Sequence, residues 1–134
     1  MHRLLYISTA RTPMPPAELD AVLRLSRRNN AAAGVTGLLV VGGRRFLQAL
    51  EGPEEAVRAT FERIRRDARH FAVVVLADHA ITERQFATWS MGYQPGGAPK
   101  GGAIADEVTA LVAPIADPGL RGYFTGFAHT QAAA

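Results

Sequence analysis

The chain has 134 residues, is 48% hydrophobic, contains no cysteine and carries a net charge of +3. That length suits one domain with its own core, and without cysteine there is no disulfide framework, thiolate metal site or cysteine nucleophile. No run of about 18 apolar residues offers a membrane span, and Arg11 with the prolines at 13, 15 and 16 cuts short any signal-peptide stretch, so a cytoplasmic protein is expected.

Leu4 to Ser8 is a short apolar run that reads as a buried strand. Pro16 suits a first helical position, with Glu18 and Asp20 at the positive helix end. Leu19, Val22, Leu23 and Ser26 then follow the helical period, which predicts a helix from Ala17 to about Arg28, closed where Asn29 and Asn30 tolerate the left-handed conformation. Val35 to Val41 and Arg45 to Glu51 read as a hairpin turning at Gly42-Gly43 with positive backbone angles available at both. Gly52-Pro53-Glu54-Glu55 opens a second helix whose apolar stripe is Val57, Phe61, Ile64 and Ala68. The basic residues are scattered, and those on this helix are interleaved with Glu54, Glu55, Glu62 and Asp67, the pattern of a solvated face rather than of a nucleic-acid footprint. Phe71 to Ala77 and Gln85 to Tyr93 are two further strands. A Gly/Pro-rich connector over 95–102 precedes helices expected at Ile104–Ile115 and Leu120–Ala128, with Thr130 to Ala134 frayed.

Strand, helix, strand, strand, helix, strand is the split βαβ pattern of the ferredoxin-like α+β fold; a last strand extends it to βαββαββ. In that arrangement the first and third strands are expected as parallel neighbours at the sheet centre, with both helices on one face. The C-terminal helices are expected on the other face.

Tyr6 and Gln48 would then lie on neighbouring central strands. A glutamine among Phe46 and Leu50 must find hydrogen-bond partners or cost about 1–3 kcal/mol, and a tyrosine hydroxyl could supply one; on local chemistry this is more often a satisfied core pair than a site. Asn29 and Asn30 read locally as helix-ending residues. Arg63 and Asp67 are four apart on the second helix and read as a surface ion pair worth about 0–1 kcal/mol. Trp89 and Met91 share one face of the last strand, usually a core position. His70 reads as a helix C-terminal cap. The four histidines are isolated, so no metal site is expected, and no Gly-rich phosphate cradle is present.

Four runs, in order and spacing, resemble the BLUF family of flavin-based blue-light sensors: Leu4-Leu5-Tyr6-Ile7-Ser8, Ser26-Arg27-Arg28-Asn29-Asn30, Phe46-Leu47-Gln48-Ala49-Leu50-Glu51-Gly52-Pro53 and Phe86-Ala87-Thr88-Trp89-Ser90-Met91-Gly92-Tyr93. The resemblance implies a sensor domain over 1–93 and a connector with a helical extension over 94–134. It implies non-covalent FAD or FMN, with riboflavin also left open, contacted by Tyr6, Asn29, Asn30, Gln48, Arg63 and Asp67. Tyr6 is then the electron donor and Gln48 the amide that passes a proton, rotates or tautomerises, and strengthens its bond to the flavin C4 carbonyl, with Trp89 and Met91 moving around it. No substrate is turned over and no enzyme activity is expected. Output would run through an unknown protein partner or a homo-oligomer, with no nucleic acid or membrane involved. The alternatives are a small acylphosphatase-like hydrolase, for which Thr9-Ala10-Arg11 offers only one arginine, and a basic nucleic-acid-binding module, which needs exposed sheet aromatics.

Overall fold

The structure, a computed structural model, describes residues 1–12, 15–42, 44–86, 89–92, 108–110 and 112–133, with the backbone alone at 16, 19, 89–92 and 129–133. The elements are β1 (His2–Ala10), α1 (Pro16–Ala33), β2 (Thr36–Gly42), β3 (Arg45–Gly52), α2 (Glu54–Arg65), β4 (His70–Ala80), β5 (Trp89–Gly92) and α3 (Pro118–Ala133). They form a five-stranded sheet in the order β4-β1-β3-β2-β5, a ferredoxin-like α+β arrangement with β5 added at one edge.

β1 and β3 are central neighbours, but they run antiparallel rather than parallel. The β2–β3 hairpin reverses the chain, so the strand inserted beside β1 must oppose it; the parallel partner in a right-handed crossover is β2, one strand further out. In this register Tyr6 faces Gln48 directly, and Arg3 faces Glu51 on the opposite surface. Gly42 ends β2 opposite Arg45 and does not take a positive φ angle; Gly43 lies outside the described residues. Gly37 sits where a Cβ would come within 1.9 Å of the Ala49 carbonyl oxygen, so β2 and β3 can close only around a glycine.

α1 does not stop at the asparagines. Ala31, Ala32 and Ala33 are strong helix formers, and the left-handed residue is Gly34, at φ 73°, whose N–H donates to the Ala31 carbonyl at 3.2 Å. Asn29 and Asn30 are therefore helical. α2 is shorter than its stripe implied, ending at Arg65, so Ala68 lies beyond it. β4 begins at His70 and reaches Ala80. Of the last expected strand Trp89–Gly92 forms β5, parallel to β2, and Gln85 and Phe86 precede it; residues 87, 88 and 93 lie outside the described residues. Of the helix expected over Ile104–Ile115, residues 104–107 and 111 are likewise outside them, residues 108–110 and 112 are helical, and the chain turns at 113–114. α3 is longer than expected and carries residues 130–133 in helical form; residue 134 is outside the description.

One sheet face carries Leu4, Tyr6 and Leu50 and packs on Val35 and on Val57 of α2. The other carries Leu5, Leu38, Val40, Leu47 and Ala49 against Val108, Val112, Ile115, Leu120, Phe124 and Phe127. Fully burying an aliphatic side chain contributes about 1.5–3 kcal/mol, so uncovering four of them rivals a typical net stability of about 5–15 kcal/mol. Deleting Gly102 to Ala134 should lower the melting temperature by at least about 10 °C or drive self-association; an unchanged melt and unchanged mass in solution would refute this.

Candidate functional site

Between α1, α2 and the sheet is a cavity of about 250 Å³. Val22, Leu23, Leu25, Leu39, Phe46 and Ile64 give it apolar walls. Tyr6, Asn29, Asn30, Gln48, Arg63 and Asp67 all border it. The continued helix makes this possible for the asparagines, since they stay on α1 instead of leaving at its end. Asn30 is 2% exposed.

On the sheet, the Tyr6 hydroxyl donates to Gln48 Oε1 at 2.5 Å, and both residues are buried. Burial pushes the tyrosine hydroxyl well above its ordinary range, and the Asp67 carboxylate adds to the shift. The hydroxyl thus keeps its proton through neutral and mildly alkaline pH. The Tyr6 ring lies 5.5 Å from that of Phe61 on α2, which fixes it between sheet and helix.

Asp67 does not pair with Arg63. Once α2 has ended, Asp67 turns back on itself: its Oδ1 accepts the Arg69 backbone N–H at 2.9 Å, and its carboxylate takes the Arg69 guanidinium at 2.9 and 3.0 Å. The bond to Arg69 holds the Asp67 carboxyl below the usual carboxylate range. Arg63 is exposed at the cavity rim and makes no ion pair among the described residues. Arg69 also borders the cavity and was missed from sequence because helical spacing was extended past the end of α2. His70 does meet a helix-end carbonyl, its Nε2–H donating to Ile64 at 2.6 Å, and in the neutral ring Nδ1 accepts from the Ser8 hydroxyl at 2.8 Å. It lines the cavity as well, a second role that its capping position did not signal.

Trp89 and Met91 pair in register with Gly37 and Leu39 of β2, and Leu39 pairs with Gln48. The backbone of Met91 is thus two strands from the glutamine; both side chains lie outside the description. Among the described residues no cluster of His, Asp or Glu is placed to hold a metal, and no helix is long and apolar enough to cross a membrane.

The model of the family described as sensors of blue light using FAD matches residues 1–92. The chain belongs to the BLUF family. The photoactivated adenylate cyclase subunit beta of Euglena longa is 39% identical over 89 residues, 66% of this chain and 10% of that protein. The blue light- and temperature-regulated antirepressor BluF of Escherichia coli K12 is 37% identical over 82 residues, 60% of this chain and 20% of that one. The chain thus spans a small fraction of these relatives. The dark-state structure of BlrB, a BLUF protein, superposes with a TM-score of 0.69 at 28% identity, covering 98% of this chain and 95% of that one. As a BLUF protein the chain belongs to a family of blue-light sensors using FAD, and the hydrolase and nucleic-acid alternatives are not favoured.

The cavity suits the cofactor. Apolar walls fit a planar ring system, and side-chain amides that donate and accept together fit its pyrimidine edge.

Proposed function

We propose that residues 1–93 are the sensor and that the α1–α2 cavity is its flavin site, with the helical extension over 94–134 and a cytoplasmic protein partner or a second copy of the chain taking the output. The observation that carries this is the buried Tyr6–Gln48 hydrogen bond at the cavity wall. Asn29, Asn30 and Gln48 offer donors and acceptors to the ring edge, and Arg63, Asp67 and Arg69 form a polar rim. Bound flavin supplies blue-light absorption and an electron acceptor. Tyr6 holds the mobile proton, already aimed at Gln48 Oε1. Gln48 carries the change: rotation exchanges its Oε1 for Nε2, or proton uptake at Oε1 with loss from Nε2 gives the tautomer. Either changes the donors and acceptors that Gln48 presents to Tyr6 and to the cavity. In the rotated amide Tyr6 must accept from Nε2, so the switch has two satisfied positions. Trp89 and Met91, on the strand beyond β2, then move in response to Gln48.

Purified protein should be yellow and should release its flavin on denaturation, because there is no cysteine to hold it covalently. Blue light should shift its absorption reversibly to the red. A colourless protein that takes up neither FAD nor FMN would sink the proposal.

A further inference from the structure

On the sheet face opposite the cavity, Glu51 is fully buried and Arg3 is 4% exposed. Both Arg3 Nε and its terminal nitrogen reach Glu51 Oε2 at 2.8 Å. Glu51 Oε1 accepts the backbone N–H groups of Gln85 and Phe86 at 2.7 and 2.9 Å. A carboxylate satisfied on both oxygens, in a site closed to water, fixes those two residues firmly. They lie on the segment that leads into β5.

The same two residues hold the C-terminal part of the chain. Gln85 Oε1 accepts the Ala116 N–H at 2.9 Å. The Phe86 ring meets that of Phe124 on α3 edge to face, centroids 6.3 Å apart. Arg3 also reaches Asp117 at 3.3 Å, and Asp117 Oδ1 caps the first turn of α3 through the N–H groups of Gly119 and Leu120. One buried ion pair therefore ties β1, β3, the segment before β5 and the start of α3 together. Nothing in the photochemistry uses it, and a buried pair is weak grounds for stability alone.

We propose that Glu51, oriented by Arg3, is a positioning residue that couples the lead-in to β5 with the N-terminal end of α3, so that a displacement of β5 on illumination is passed to α3 at this junction. The step from light to β5 rests on the function proposed above; the junction itself does not.

The test is hydrogen exchange of the flavin-loaded full chain, in darkness and under blue light, with the absorption shift recorded on the same samples. Glu51→Gln keeps the shape and removes the charge. The double variant Arg3→Met with Glu51→Leu removes both charges and keeps apolar bulk, so no buried charge is left unpaired if the single variant fails to fold. In the wild type, exchange at residues 85–86 and 118–124 should rise together under light. In the variants, the same segments should already exchange about tenfold faster in darkness, the red shift should persist, and the light response of 118–124 should vanish. A light response at 118–124 like that of the wild type, or loss of the red shift in the variants alone, would overturn the coupling. A wild type that shows no red shift would defeat the flavin proposal instead; the dark exchange rates then decide the junction, which stands if 85–86 and 118–124 are faster in the variants and falls if they are not.

Discussion

Gln48→Leu should bind flavin and lose the light-induced red shift entirely. Leucine fills nearly the same volume beside Phe46 and Leu50, so the cavity keeps its shape. What disappears is the amide, the group at the wall that can present either a donor or an acceptor. The fold should survive at reduced stability, since the buried Tyr6 hydroxyl now lacks its acceptor, a loss of about 1–3 kcal/mol. Absorption spectra before and after illumination, with a thermal melt in parallel, check both parts. A normal reversible shift in this variant would make Gln48 an ordinary core residue.

Tyr6→Phe should also keep the flavin and fail to photocycle. Only the hydroxyl is removed; the ring retains its packing against Phe61. Phenylalanine is a far poorer electron donor, and it holds no proton toward Gln48 Oε1, so both functions of the residue go together. With the quenching electron transfer gone, flavin fluorescence in darkness should rise and its decay should lengthen several-fold. An unchanged fluorescence decay would remove Tyr6 as the donor. This variant and Gln48→Leu share one hydrogen bond, so their stability losses should not add; the double variant should be less destabilised than the sum of the two.

Much of this is legible in the sequence alone. Alternation along Leu4-Leu5-Tyr6-Ile7-Ser8 and Phe46-Leu47-Gln48-Ala49-Leu50 puts Tyr6 and Gln48 on the faces they occupy, because side chains in a strand must alternate. The register of the hairpin and the order of the elements then bring the two together. The motifs of the family lie on these same local patterns, so the flavin reading needed no tertiary information.

The sense of β1 against β3 required the whole topology, because a strand pattern is the same read in either direction. Helix ends were decided by short competitions: Ala31 to Ala33 and Gly34 carried α1 past its asparagines, while Asp67, bonding the Arg69 N–H, drew its own carboxylate out of reach of Arg63. The Arg3–Glu51 pair could not be read at all, since it joins residues 48 apart to the N–H groups of Gln85 and Phe86. Local periodicity determined which face each residue takes. Which charges meet across that face depends on contacts distant in sequence, and only the folded chain brings those within hydrogen-bond distance.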